Sequence, residues 1–451
     1  MSIQLMLNDA AELLGISSFD INLAITGAAI DSRKVKRGDL FVAVVGDHND
    51  GHDYVSAARK AGASAALVNK LQKDNLPQLV VNDVVSGFGK LAAYWRKQCP
   101  CKVIAVTGSN GKTTVKEMLA AILSQSHHVI ATEGNLNNNL GVPLSLFRIQ
   151  ANTDYAVIEM GANHVGEIAE LVKLAGPAVS LINNVSEAHI EGFGSIEGVV
   201  EAKSEIYSNL PSDGVGVFNA DMSYAQYWQN VLNEQRSLSF GVNSSADIQA
   251  SDYQSYITSS NFMVKINEVF HYINLPLPGS HNMSNALAAM AVSTALFINV
   301  EDMVLGLDSV KSVPHRLQLR LGIKNATILD DSYNANPASY EQAIATLKTF
   351  PGEHWLVLGD FGELGVKSEE IHTGLGVKAK SAGIKHLLTI GKKSRSANTA
   401  FGKGAIHFSD LTSIHEYLET RLDKNITCLI KGSRFMQLDK LADELAISGE
   451  D

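Results

Sequence analysis

The sequence is poor in cysteine, in positive charge and in long apolar runs. Three cysteines in 451 residues exclude a disulfide scaffold and agree with a reducing compartment. Cys99 and Cys101 form a C-x-C, but no second cluster completes a zinc site. The formal net charge of -10 disfavours non-specific attraction to nucleic acid or anionic membrane, while leaving room for a local basic site for phosphates. No apolar run reaches the roughly 20 residues that a bilayer requires. The nearest, LAAMAVSTALFINV at 287–300, reads as a buried helix. The opening stretch MSIQLMLNDAAELLG carries Asp9 and Glu12 and lacks a basic start, so no secretory signal and a cytoplasmic protein are expected.

What is present is an ordinary globular composition, 45% hydrophobic and 19% charged, in a chain too long for one core. Residues 1–82 mix short strands and helices: LFVAVVG (40–46) and AALV (65–68) read as strands, VSAARKAGA (55–63) as a helix. Residues 84–98 have helical spacing and lead into the next domain. From Val103 the pattern becomes strand, loop, helix, repeated. VIAVT, YAVIEM and VSLINNV are short and nearly continuously apolar, as buried parallel strands are. TTVKEMLAAIL, GEIAELVKLAG and GVVEAKSEIYSNL are the helices between them. Residues 236–275 shift to Ser, Asn, Tyr and apolar alternation, which predicts an antiparallel edge, and a helix near 283–297 follows. Beyond Pro314 a second α/β run begins with ATILDDS, a helix through 338–349, WLVLGD, LLTIG and ITCLIKGS. The fold class expected is α/β in three domains, the central one doubly wound.

Residues 105–114, AVTGSNGKTT, look like a phosphate loop, yet Val106 stands where the common G-x-x-x-x-G-K-[ST] pattern has its first glycine. The context of strand, glycine loop and helix is nevertheless the required one. Backbone N–H groups at a helix start favour an anion. Lys112 can reach β- and γ-phosphates, and the Thr113 hydroxyl can bind Mg²⁺. Further on, Glu159 falls at a strand end, His189 in a loop after a strand, and Lys203 on the following helix. In open α/β sheets ligands collect beyond the carboxyl ends of strands. Taken singly, such residues are more often surface or satisfied groups; placed at successive strand ends, they point to a site.

TGSNGKTT, IEMGANHVGEI, NNVSEAHIEGFGS, EAKSEIY, GSHNMSNALAA, PHRLQ, DDSYNANPAS and KGSR follow one another in the order typical of the Mur ligases. The chain resembles this family of ATP-dependent amide ligases of peptidoglycan synthesis over nearly its whole length. The family's loop is T-G-x-N-G-K-T-T, which explains the absent glycine. TEGNLNNNLGVPLSL (132–146), DDSYNANPAS (330–339) and LGDFGELG (358–365) resemble the branch that adds D-alanyl-D-alanine, although Phe361 sits where that branch more often has Met. Related ligases that add diaminopimelate, lysine or folate glutamates share the loop chemistry, and a nucleotide-driven switch would share the loop alone.

The resemblance implies a UDP-MurNAc-peptide-binding domain at 1–83, a central ATP-binding domain at 84–313, and a Rossmann-like domain at 314–451 for the incoming D-Ala-D-Ala. It implies catalytic roles for Lys112, Glu159, His189 and Lys203. It also implies ATP contacts from Thr107, Gly108, Ser109, Asn110, Gly111, Lys112, Thr113 and Thr114. Asn282 would contact adenine, with a helix N-cap as its alternative role, and Arg316 and Asp331 would reach the nucleotide. Ser32, Arg33, Asn135, Asn137 and Asn138 are expected at the UDP-substrate, and Asn334 and Asn336 at the dipeptide, while Tyr333 could instead be core. Two Mg²⁺ sites are expected, one on Thr113 and Glu159 and one on His189 and Lys203. An ammonium about 4 Å from Mg²⁺ would be repelled by roughly 8 kcal/mol at an effective dielectric near 20. Lys203 is therefore expected as the carbamate found in other members. A monomer that is open when empty, binding small molecules only, completes the expectation.

Overall fold

The computed structural model describes residues 3–46, 48–187 and 190–447. Strands β1 (Leu5–Met6) and β2 (Ala24–Ile25) form a small antiparallel pair. Next to it, β3 (Gly27–Ala29), β4 (Asp39–Val42), β5 (Ala65–Val68) and β6 (Gln78–Val80) make a wholly parallel sheet. The strand expected over 40–46 stops at Val42, because Gly51 donates to the Val44 carbonyl and turns the chain there. The helix Val84–Lys97 starts at Asp83, whose side chain caps it through Val85 and Ser86. Phe88 stacks on Phe147, and Trp95 Nε1 donates to the Ile149 carbonyl, which ties the first sheet to the second. One apolar cluster runs from Leu40 and Leu67 through Phe88 and Trp95 to Ile158.

The central sheet has β7 (Lys102–Thr107), β8 (Val129–Ala131), β9 (Tyr155–Glu159), β10 (Val179–Ile182), β11 (Val215–Asn219), β12 (Arg236–Gly241), β13 (Ile248–Ser255), β14 (Ser260–Ile266) and β15 (Val269–Leu275). Their order is β15-β14-β13-β12-β11-β10-β7-β9-β8. The antiparallel edge expected over 236–275 is confined to β13–β15. β12 instead runs parallel to β11, because the helix Ala225–Leu232 crosses over between them. The chain leaves β7 for β8 on one side and later adds β10 on the other, so β7 lies at the reversal of winding, where α/β sheets open a crevice. The helix expected near 283–297 begins earlier, spanning Ser280–Ala295, and is buried along most of its length.

The third sheet comprises β16 (Gln318–Leu321), β17 (Thr327–Asp331), β18 (Glu353–Leu358), β19 (His386–Ile390), β20 (Ala405–Phe408) and β21 (Ile426–Lys431). Their order is β16-β17-β21-β18-β19-β20, parallel except for β16. Asp331 and Lys431 are register partners at the carboxyl ends of adjacent parallel strands. The fold thereby brings together two residues 100 positions apart in sequence.

Candidate active site

A cleft of about 650 Å³ lies between the carboxyl ends of the central and third sheets. β7 delivers the phosphate loop. Thr107 ends the strand, and its hydroxyl donates to the Met160 carbonyl at 2.9 Å. Asn184 braces the loop, its carbonyl accepting from Ser109 N at 3.0 Å and its Oδ1 from Asn110 N at 2.8 Å. Gly111 has φ 77°, and a Cβ there would stand 2.4 Å from Asn285 Oδ1 and 2.7 Å from Asn183 Nδ2. Only glycine lets the loop pass beneath these amides. The helix Lys112–Leu123 then begins with no side chain capping its first turn. Its N–H groups are left for an anion.

Lys112 Nζ donates to the Gly108 carbonyl at 2.6 Å, folded over its own loop. Burial lowers its pKa; Glu159 opposes this and Arg316 adds to it. The Thr113 hydroxyl donates to Glu159 Oε2 at 2.9 Å, and Asn137 Nδ2 donates to Oε1 at 2.8 Å. Thr132 Oγ1 accepts from Glu159 N at 2.9 Å, so carboxylate and backbone are both fixed. A buried hydroxyl beside a buried carboxylate is an oxygen donor set suited to a hard cation such as Mg²⁺. Lys203, on the helix Ile196–Ser204, lines the same cleft at 3% exposure. Among the described residues its ammonium has no hydrogen-bond or ion-pair partner. Burial, then the nearby Lys112, pushes its pKa well below that of an ordinary lysine. His189 lies outside the described residues.

Across the cleft, Asp331 pairs with Lys431, and burial raises its pKa against the pull of that lysine. Lys431 also donates to the Asn334 carbonyl at 3.2 Å. Arg316 lies over the Tyr333 ring at 4.1 Å, placing that ring in the cleft wall and not in the core. Asn336 caps the helix Pro337–Leu347 through Ser339 N, and its Nδ2 donates to Asn110 Oδ1 at 2.8 Å. The third sheet's domain thus touches the phosphate loop directly. Asn282 does not cap its helix, whose cap position is Gly279; its amide instead donates to the Pro278 carbonyl at 2.8 Å.

The cleft thus gathers Asn110, Gly111, Lys112, Thr113, Thr114, Glu159, Lys203, Asn282, Arg316, Asp331, Asn334 and Asn336. Asn135, Asn137 and Asn138 also line it, with Asn138 Oδ1 accepting from Gly141 N at 2.9 Å. Ser32 and Arg33 stand apart, Arg33 being paired with Asp31 at 2.8 Å and largely exposed. Lys431, Asn183, Asn184, Asn285 and His281 belong to the site or its support without having been singled out from the sequence. The signals were present: a lysine ending the apolar run ITCLI, the asparagines of NNV, and two asparagines three apart in HNMSN.

The Mur ligase family, catalytic domain, model matches residues 24–105. The Mur ligase middle domain matches 106–293, and the Mur ligase, glutamate ligase domain, matches 315–434. The UDP-N-acetylmuramoyl-tripeptide–D-alanyl-D-alanine ligase of Escherichia coli is 41% identical over 450 residues, 99% of each chain. A crystal structure of MurF from Acinetobacter baumannii superposes with a TM-score of 0.90 at 32% identity, covering 98% of each chain. MurF ligase from Thermotoga maritima in complex with ADP superposes at 0.82 with 30% identity, covering 92% of this chain and 96% of that one.

Proposed function

The chain belongs to the Mur ligase family, and from that premise we propose that its cleft joins D-alanyl-D-alanine to UDP-N-acetylmuramoyl-tripeptide, with ATP cleaved to ADP and phosphate. The observation that carries this reading is the Thr113–Glu159 oxygen pair at the foot of an uncapped phosphate loop, facing Asp331 and Asn334 across one cleft.

A carboxylate resists attack by an amine, and phosphorylation gives it a leaving group. The tripeptide's terminal carboxylate takes the γ-phosphoryl; the dipeptide amine adds to the acyl carbon; the tetrahedral adduct expels phosphate and leaves an amide. Lys112 is placed to exchange the Gly108 carbonyl for the transferring phosphoryl, and the first-turn N–H groups hold its neighbours. Thr113 and Glu159 would hold one Mg²⁺, which supplies charge neutralisation at the phosphates. Lys203, whose pKa burial holds well below that of an ordinary lysine, can attack CO₂ at carbon through its unprotonated amine, one C–O π pair moving to oxygen as the N–C bond forms and the amine's proton passing to water. The resulting carbamate would give the second Mg²⁺ an anionic ligand in place of an ammonium, with His189 as the other proposed ligand.

In this reading residues 1–83 hold the UDP-sugar with Ser32 and Arg33, aided by Asn135, Asn137 and Asn138 at the peptide stem. Residues 84–313 hold ATP, with Asn282 at adenine and Arg316 and Asp331 reaching the nucleotide. Residues 314–451 bring the dipeptide, Asn334 and Asn336 lying on that side. The enzyme works as a cytoplasmic monomer, and no helix among the described residues is long and apolar enough to cross a membrane. Phosphate release is measured with ATP, Mg²⁺ and UDP-N-acetylmuramoyl-tripeptide, with D-alanyl-D-alanine or other amines as acceptor. Release that follows D-alanyl-D-alanine supports the reading; release indifferent to it rejects the reading.

A further inference from the structure

D-alanyl-D-alanine carries an amine that reacts and a carboxylate that does not. The second group must be met by a cation on the acceptor side, and the cleft offers five lysine and arginine side chains: Lys112, Lys203, Arg316, Lys431 and Arg434. Four are committed elsewhere. Lys112 is part of the phosphate loop, and Arg316 lies within its electrostatic reach. Lys203 projects from the helix Ile196–Ser204 on the phosphate-loop side, where the functional reading gives it a metal-ligand role. Lys431 is fully buried and held by Asp331 and the Asn334 carbonyl.

Resting on the functional reading above, we propose that Arg434 is the specificity residue that binds the free carboxylate of the incoming dipeptide. It lies three residues beyond Lys431, on the turn that follows β21, next to the wall that carries Asn334. The side chain is 59% exposed, and its guanidinium stands 5.6 Å from the centre of the Tyr333 ring, which also carries Arg316. Among the described residues only Nη1 is engaged, by Asp439 Oδ2 at 2.7 Å. The Nε/Nη2 edge therefore remains open, and a guanidinium edge matches two carboxylate oxygens side by side. An amine without a carboxylate at that reach would leave the edge unmatched, which accounts for selection of a dipeptide acid over a simple amine.

The test compares D-alanyl-D-alanine with D-alanyl-D-alaninamide, whose carboxylate is neutralised. The wild-type enzyme should favour the acid by about 30-fold in kcat/KM, and Arg434→Gln should reduce that preference to about 3-fold or less. Arg434→Lys keeps the charge without the fork and should fall between the two. KM for ATP and for the UDP-tripeptide should stay unchanged in both variants, with unaltered melting curves to confirm folding. Full acid preference in Arg434→Gln, or a wild-type enzyme indifferent to the amide, overturns the proposal. If Arg434→Gln is inactive, Arg434→Lys decides: wild-type acid preference in it counts against the fork. Failure of the wild-type enzyme to use D-alanyl-D-alanine at all would instead overturn the functional reading itself.

Discussion

Lys203 and Lys431 are buried to nearly the same degree in opposite walls of one cleft, 3% and 0% exposed. Lys431 ends a strand whose register places Asp331 beside it, so its charge is matched and hydrogen-bonded. Lys203 projects from a helix into a wall where the described residues offer no counter-charge, only Lys112. A buried cation with a partner holds two strands and a carbonyl in place. A buried cation without one tends to surrender its proton and become a nucleophile. In the proposed reading, the wall that carries the phosphate loop therefore contains the lysine open to carbamylation, and the opposite wall contains a positioning one.

The largest test of this contrast lies on the ATP side. Lys112→Ala should lower ligation by about 10³-fold or more while UDP-substrate binding, measured by calorimetry, stays intact. Equal loss of both would make Lys112 structural. The next test exchanges the two buried lysines for an apolar chain of similar length. Lys431→Met strands Asp331 and should destabilise the protein by about 3 kcal/mol in urea unfolding. Lys203→Met strands nothing, so stability should hold or rise while ligation falls about 10²-fold or more. The wild-type protein, but not this variant, should take up ¹³C-bicarbonate as a carbamate signal. If the two stability effects were reversed, the contrast would be wrong.

A smaller effect sharpens the acceptor side. His281 is pushed down to about 4, first by burial and then by Lys431. The native state therefore binds fewer protons here than the unfolded chain. This contribution is complete above about 6.5 and is lost as pH falls toward 4. His281→Gln should flatten the change in urea midpoint between pH 7 and pH 4.5, and Lys431→Met should raise the imidazole pKa followed by NMR. The smallest expected effect is at the contact between the walls. Asn336→Ala removes a helix cap worth about 1 kcal/mol, together with the bond to Asn110. An unchanged unfolding midpoint would remove Asn336 from both roles.

Local order carried the parts of the molecule that the sequence made legible. Strand, glycine loop and helix at 102–123 are continuous in the chain, so the phosphate site could be read from apolar run, glycine and lysine alone. Glu159 and Lys203 could be read because each follows its own strand or rides its own helix within that pattern. β12 was misplaced because alternation of side chains marks burial of one face and not the direction of the neighbouring strand. Lys431 escaped notice because nothing near it in sequence marks its partner.

The sequence by itself determined the α/β class, the phosphate loop and its hydroxyl and carboxylate oxygens, since these depend on short-range periodicity and on residue types with fixed chemistry. Only the tertiary structure decided which buried charges are matched. The Asp331–Lys431 register and the Asn336–Asn110 contact join segments far apart in the chain, and the lack of a counter-charge around Lys203 among the described residues is equally a product of how such segments pack. Matching a charge depends on distance and on exclusion of water, and neither exists until the sheets have packed.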